Sequence, residues 1–396
     1  MNKILMVRFG EIGIKGGNRS FFVNQLIANI KTAVKKCGNY QIKNTYGRIY
    51  LYPDGNIEDI IKKLKMIPGI VSISPATISS LDFDELQKTA LQVFKEGVSS
   101  YPCTFKVETR RANKEYFLES PEISSKLGAY ILKNINKGIS GEKNELTVDV
   151  HNPEHLLQVE VRKNKIYVFN QVIPGPGGLP VGSASKGLLL LSGGIDSPVA
   201  GWLSMKRGIV LEGLYFHSHP YTGDRTKEKV VELAKILSAY GRQLKLHICH
   251  FTDIQLAIQQ HCPRKYNITI MRRMMFRLAE QIARKNGDQA LITGESVGQV
   301  ASQTLESMHV INEVTNLPVL RPLISMDKTE IMRIAREIGT YETSILPYED
   351  CCTIFVPEHP VTKPKLEATL EAEKDLDIEE LIEDALDKSE IINIGG

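Results

Sequence analysis

Hydrophobic positions change their spacing along the chain, and each change marks a new element. Residues 4–9 form a short apolar run of strand length. Residues 19–36 place Phe21, Phe22, Leu26, Ile27 and Ile30 on one face of a helix. Residues 41–44 and 48–52 pair as a hairpin around Tyr46-Gly47, 57–64 form a second helix, and 70–74 a closing strand. The order over residues 1–76 is therefore β-α-β-β-α-β. Residues 77–172 make a second α+β region. Helices are expected at 83–97 and 121–133, and strands at 104–109, 147–150, 156–162 and 165–170, with Lys163-Asn164 as a two-residue turn. Residues 173–186, rich in Pro and Gly from Pro174 to Gly182, read as a linker.

From residue 187 to 396 strands and helices alternate. Strands are expected at 187–191, 209–216, 244–250 and 290–293, and helices at 199–207, 227–240, 267–285 and 329–338. That alternation predicts a doubly wound parallel sheet. Ligands of such sheets bind beyond the C-terminal strand ends, where Ser192, Phe216 and Gly294 emerge. The first region has the strand and helix order of a ferredoxin-like domain.

Composition narrows the class. Hydrophobic residues make up 42% and charged residues 24% of 396 residues, as in a globular protein of two or three domains. No run of 18 apolar residues predicts a membrane span. The N-terminal apolar stretch is too short for a signal peptide. The six cysteines lack C-x-x-C spacing, which argues against structural zinc and iron–sulfur sites, so no metal-ligand set is expected and a reducing, cytoplasmic setting is. Charge is unevenly distributed. Residues 1–50 carry nine Lys/Arg and one acid, whereas residues 361–396 carry four Lys/Arg and eleven Asp/Glu. The basic front suits a polyanion such as nucleic acid; a solvated charged surface is the competing reading. Residues 367–390 read as an amphipathic helical segment packed on the body.

The most specific motif is Ser192-Gly193-Gly194-Ile195-Asp196-Ser197-Pro198. It lies between an apolar strand and a helix start. Small residues let backbone N–H groups approach a phosphate, and the helix N-terminus adds its positive end. The form S-G-G-x-D-S resembles the PP-loop of ATP pyrophosphatases, which cleave ATP between the α and β phosphates. No G-x-x-x-x-G-K-[ST] occurs, so a P-loop kinase type of site is not supported. Gly193, Gly194, Ser192 and Ser197 are expected to hold phosphates. Asp196, an acid beside a polyanion, calls for Mg²⁺, with a helix N-cap as its alternative. Gly294 in Thr293-Gly294-Glu295-Ser296 admits a nucleotide or merely makes a turn. In helix 267–285, Arg272 is the functional candidate, and Arg273 and Arg277 read as solvated cations flanking a Met stripe. Lys328 stands at a helix start, against the dipole, and so hints at an anion partner. Cys351-Cys352 follow an acidic loop; they are either nucleophilic or two small buried residues. Cys37, Cys103, Cys249 and Cys262 read as packing residues.

Four separated segments together resemble the ThiI family, the tRNA 4-thiouridine synthetases. They are Arg8-Phe9-Gly10-Glu11 with Lys15-Gly16-Gly17-Asn18-Arg19, Val148-Asp149-Val150-His151-Asn152-Pro153, the PP-loop, and Ser325-Met326-Asp327-Lys328-Thr329-Glu330-Ile331 with Glu349-Asp350-Cys351-Cys352. The resemblance implies an α/β PP-loop ATP pyrophosphatase domain (187–396) behind a ferredoxin-like domain (1–76) and a THUMP RNA-binding domain (77–172). It implies adenylation of O4 of uridine 8 in tRNA by ATP with Mg²⁺, then replacement by a persulfide sulfur from a cysteine desulfurase. By that likeness Leu190, Leu191, Tyr215, Phe216, Arg272, Gly294 and Gln303 are nucleotide-site positions, Asp196 and Lys328 activation residues, and Cys351 the catalytic cysteine. Lys15, Arg19, Arg110, Arg111 and Lys114 are expected to contact tRNA. Some family members carry a C-terminal rhodanese domain. A chain ending at Gly396 is expected to lack it, so sulfur is taken by Cys351 or Cys352 or supplied in trans by a separate rhodanese, a sulfur carrier or the desulfurase. A homodimer and a second role in thiamine thiazole synthesis are also implied. The alternatives are another PP-loop enzyme acting on a different tRNA base or a small molecule, and a non-catalytic tRNA-binding protein.

Overall fold

The computed structural model describes residues 3–45, 47–136, 146–348, 357 and 359–395. They form two compact units, residues 1–19 with 30–177, and residues 20–29 with 178–396.

The first unit holds β1 (Lys3–Arg8), the two ends of α1 (Arg19–Val34), β2 (Tyr40–Thr45), β3 (Arg48–Pro53), α2 (Ile57–Leu64) and β4 (Ser72–Ser79). It continues with α3 (Phe83–Gly97), β5 (Cys103–Arg111), α4 (Ser120–Asn136), β6 (Leu146–Val148), β7 (His155–Val161), β8 (Ile166–Phe169) and β9 (Ile173–Pro174). The spatial order β2-β3-β1-β4-β8-β7-β5-β6 makes one sheet, with β9 also paired to β4. The segment β4-β1-β3-β2 is ferredoxin-like, as the element order implied. The boundary expected after residue 76 falls inside β4, which pairs with β1 on one side and β8 on the other. The head of the expected linker likewise belongs to the sheet, with Ile173 opposite Ile73.

Alternating burial along β5 puts Cys103, Phe105 and Val107 into a core with α3 and α4, where Phe94 and Phe105 lie 5.0 Å apart. A buried acid stitches the middle of the sheet. Glu160 on β7 receives Arg48 at 2.6 Å and Arg162 at 3.0 Å, with Arg8 at 3.5 Å. Arg8 also donates to Ser74 Oγ at 2.7 Å. A carboxylate this deep is tolerated because cations surround it.

The second unit contains β10 (Lys186–Leu190), α5 (Asp196–Met205), β11 (Val210–His217), α6 (Asp224–Ser238), β12 (Leu244–His250) and α7 (Thr252–His261). Then follow α8 (Asn267–Asn286), β13 (Leu291–Ile292), α9 (Leu305–Asn312), β14 (Val319–Leu320), α10 (Lys328–Glu337) and α11 (Tyr341–Ser344). The tail gives α12 (Leu366–Glu373), α13 (Ile378–Asp387) and β15 (Glu390–Ile394). The sheet order is β14-β13-β10-β11-β12-β15. All neighbours are parallel except β15, which runs antiparallel along β12. Residues of β10 alternate between the faces. Leu188 and Leu190 pack with α7, α8 and the tail helices, and Leu189 and Leu191 with α5, α6 and α10.

Two expectations are corrected here. The acidic tail is broken: α12 ends at Glu373 and α13 starts at Ile378, capped by Asp377, and the residues that follow add β15 as an antiparallel edge strand along β12. Arg273 and Arg277 are not solvated. Arg273 is 1% exposed, and both guanidiniums grip the buried carboxylate of Glu373 on α12, Arg273 Nη2 at 2.8 Å and Arg277 Nη2 at 2.7 Å. Burial pushes the Glu373 carboxyl up, but the hydrogen bonds and charges of Arg277 and Arg273 outweigh it and hold it below the usual range.

Candidate active site

The strand order reverses between β10 and β13. The chain runs outward through β11 and β12, then returns to place β13 and β14 on the other side of β10. The crevice above that reversal is where open α/β sheets bind ligands, and the PP-loop occupies it. Four apolar residues carry β10 through the core; the chain then turns through two glycines and starts α5 at Asp196. Ser192 N–H donates to Ser197 Oγ at 2.9 Å, the two hydroxyls lie 3.2 Å apart, and Gly194 N–H donates to Ser192 Oγ at 3.2 Å. These bonds hold the loop closed on itself at a helix N-terminus. Ser344 of α11 donates to the Gly194 carbonyl at 3.3 Å.

Lys328 finds its anion. Its Nζ lies 2.6 Å from Asp196 Oδ1, and Gln299 Nε2 donates to Asp196 Oδ2 at 3.0 Å. Asp327 caps α10 through a capping box with Glu330, which fixes where Lys328 begins. The first turns of α5 and α10 thereby meet through an ion pair, with Lys328 partly open to solvent.

Gly294 acts against the helix rather than as open space. A Cβ there would stand 2.7 Å from Ser197 N and 2.8 Å from the Asp196 carbonyl carbon. The loop after β13 therefore lies directly on the start of α5. The next residue, Glu295, is 3% exposed and receives Arg272 Nη2 at 2.6 Å, Arg321 Nε at 2.8 Å and the Thr293 hydroxyl at 2.9 Å. Burial pushes this carboxyl up, but the charges and hydrogen bonds of Arg272 and Arg321 outweigh it and keep it below the usual range. Gln303 holds the same loop, accepting from Ser296 N–H at 3.4 Å.

The remaining nucleotide-site expectations have buried side chains. Leu190 and Phe216 belong to the core on the α8 side, Leu191 and Tyr215 to the core on the α5 side. What they can offer a ligand is backbone at the strand ends. Cys351 and Cys352 lie outside the described residues. In the first unit, Lys15 pairs with Glu11 at 3.2 Å, and Arg19 stacks over Phe9 at 5.7 Å. Arg110 is 71% exposed beside Glu108, and Lys114 is exposed. Arg111 is different. Its side chain is 13% exposed and donates to the carbonyls of Tyr116 and Leu118, so it braces the turn after β5 instead of facing a polyanion.

Sequence reasoning places Glu295, Gln299 and Arg321 near strand ends but gives none of them a role; only the fold reveals that Glu295 meets Arg321 and that Gln299 meets Asp196.

Comparison with known proteins agrees with this architecture. Residues 4–74 match the ThiI ferredoxin-like domain, 81–170 the THUMP domain and 182–378 the thiamine biosynthesis protein (ThiI) model. A probable tRNA sulfurtransferase of Halothermothrix orenii is 63% identical over 396 residues, covering 100% of this chain and 99% of the relative. One of Thermoanaerobacter pseudethanolicus is 52% identical over 384 residues, covering 97% and 98%. A 4-thiouridine synthetase solved as an RNA complex with bound ATP superposes with a TM-score of 0.90 at 42% identity, covering 100% of both chains. PH1313 of Pyrococcus horikoshii superposes at 0.65 with 26% identity, covering 85% of this chain and 99% of that one. With all three domain models matched in order and relatives this similar along its whole length, the chain belongs to the ThiI family.

Proposed function

We propose that this protein is a tRNA sulfurtransferase that uses ATP to convert uridine 8 of tRNA to 4-thiouridine. The observation that carries the reading is the PP-loop closed at the sheet's reversal point, with Asp196 and Lys328 paired on its rim. A carbonyl oxygen is a poor leaving group. Attack of uridine O4 on the α-phosphorus of ATP expels pyrophosphate and turns that oxygen into part of an AMP leaving group. The terminal sulfur of a persulfide (R–S–S⁻) then bonds to C4 and AMP departs. A second thiolate attacks the inner sulfur and the S–S bond breaks; 4-thiouridine is released and takes back a proton at N3, and a disulfide is left for a thiol reductant. Gly193, Gly194, Ser192 and Ser197 hold phosphate oxygens in place of the loop's internal bonds. Lys328 moves from Asp196 toward the charge developing on the phosphates, a point cation where negative charge accumulates. Arg272 contacts the nucleotide from the α8 side.

Mg²⁺ fits this donor set. Each Asp196 oxygen is engaged by one donor and keeps lone-pair capacity. Among the described residues no group of three His, Cys, Asp or Glu is arranged to hold a metal, which leaves one carboxylate, phosphates and water as ligands. Bound there, the ion would offset charge on the departing pyrophosphate.

Cys351 is the sulfur-handling cysteine of this reading, fed by a cysteine desulfurase directly or through a carrier or rhodanese. Lys15, Arg19, Arg110 and Lys114 contribute to holding tRNA. A homodimer, a cytoplasmic location and sulfur delivery to the thiamine thiazole belong to the same reading and rest on the family likeness. Nucleoside analysis of tRNA after incubation with ATP, Mg²⁺, cysteine and a desulfurase tests it. Wild type should form 4-thiouridine; Cys351→Ser should not, while Cys352→Ser should retain it. Asp196→Ala should abolish tRNA-dependent AMP release with tRNA affinity nearly unchanged. Absence of both 4-thiouridine and tRNA-dependent ATP cleavage in the wild type would favour a different PP-loop substrate.

A further inference from the structure

We propose that Glu295 and Arg321 are positioning residues that set the Arg272 guanidinium for the nucleotide, so that Arg321 governs ATP affinity without touching ATP. The inference rests on the nucleotide role of Arg272 given above.

The geometry forms a relay of rigid contacts. Gly294 packs on the backbone of Asp196 and Ser197 closely enough to exclude a methyl group, so the residue after it is fixed relative to the phosphate cradle. That residue is Glu295. Each of its oxygens takes a different arginine, Oε1 from Arg272 on α8 and Oε2 from Arg321 after β14. Arg321 is in turn tied to α9, its Nη2 donating to Asn312 Oδ1 at 3.2 Å. One buried carboxylate needs one cation for neutrality; here two share it, so the trio keeps a net positive charge in the crevice where a triphosphate is to bind. Both guanidiniums remain partly accessible, at 18% and 16% of the side chain. If Arg321 left, Arg272 would be the one cation on Glu295, and Oε2, then engaged only by the Thr293 hydroxyl, would pull that guanidinium toward a closer two-point pairing and away from the ligand.

Equilibrium binding of Mg²⁺ with α,β-methylene ATP, which cannot be cleaved to AMP, tests the relay through a double-mutant cycle. Arg272→Gln and Arg321→Gln should each weaken binding about tenfold or more, and the double variant should be little worse than either alone. Arg321→Lys, which keeps a cation on Glu295, should recover most of the affinity. Thermal unfolding of each variant identifies any that fails to fold, and Arg321→Lys keeps the comparison open in that case. A loss with Arg272→Gln but none with Arg321→Gln, or losses that simply multiply, overturns the positioning role while leaving the nucleotide role of Arg272 standing. No loss with Arg272→Gln overturns that nucleotide role, and the relay with it.

Discussion

Gly294 shows how a residue without a side chain can fix a site. Its lack of a Cβ lets the loop after β13 rest on the first turn of α5, and Glu295 inherits that placement. Gly294→Ala should therefore push the PP-loop off its seat. Because the obstacle is backbone rather than a flexible side chain, the expected cost is about 1–3 kcal/mol of stability together with a loss of ATP affinity, measured by denaturant unfolding and nucleotide binding. Unchanged ATP affinity would show that the close approach is incidental to the cradle. At this scale the sequence disclosed residue types well. Asp196 was legible as an acid beside an anion site and Lys328 as a cation at the wrong end of a helix. That each is the other's partner was not legible, since 132 positions separate them. Arg272 and its neighbour Arg273 make the same point. A helix turns about 100° per residue, and so one faces Glu295 in the crevice while the other is buried on Glu373 of the tail.

At the scale of elements, long periodic segments were readable and short or edge segments were not. Helix α8 and strand β12 follow the expected spans closely, because a Met and Leu stripe and an apolar run each have one stable solution. β15 follows the acidic helical segment with no strand expected there, and it forms because β12 offers it an edge. The opposite ends of the central strands carry a second polar cluster. Lys186 Nζ lies 3.0 Å from Glu212 Oε1, and His247 Nε2 lies 3.0 Å from Glu212 Oε2. Asp288 is buried near them, and neither of its oxygens has a hydrogen-bond partner among the described residues. Burial first, and then the charge of Glu212, push its carboxyl up to about 7, against the opposing pull of Lys186 and Lys245. An unfolded aspartate titrates near about 4. Between those values the folded chain holds the extra proton, so the contribution of Asp288 to stability is fully present below about pH 4 and is lost as pH rises through about 7. Asp288→Asn should accordingly melt above wild type at pH 8, with the gap closing toward pH 4. A wild type more stable than the variant at pH 8 would mean that the ionised carboxylate is satisfied.

Over the whole molecule, the charges segregate by job. The front of the chain, with nine cations and one acid in residues 1–50, suits a polyanion, while many of the tail's eleven acids face solvent on α12 and α13 and one of them, Glu373, ties α12 to α8. Binding of tRNA should weaken steeply with salt. Each phosphate contact removed should lower the slope of log K against log salt by a little under one, so Arg110→Gln with Lys114→Gln should flatten it. Arg111→Gln should instead lower the melting temperature, because its guanidinium is spent on the Tyr116 and Leu118 carbonyls. An Arg111 variant that flattened the slope without loss of stability would reverse that assignment.

The strand–turn–helix cradle, the alternation that builds the second unit's sheet, and the ferredoxin-like order of the first elements are all written in the order of residues. All of these are local, set by hydrophobic period, glycine placement and helix starts within a few residues of one another. Folding in three dimensions is what joins the first unit's strands into one sheet through β4, returns β13 and β14 to the far side of β10, and lets Glu295 gather Arg272 and Arg321 beside Asp196 and Lys328. Those outcomes depend on which faces and edges remain to be covered after the local elements have formed, and burial and charge pairing between distant segments settle them.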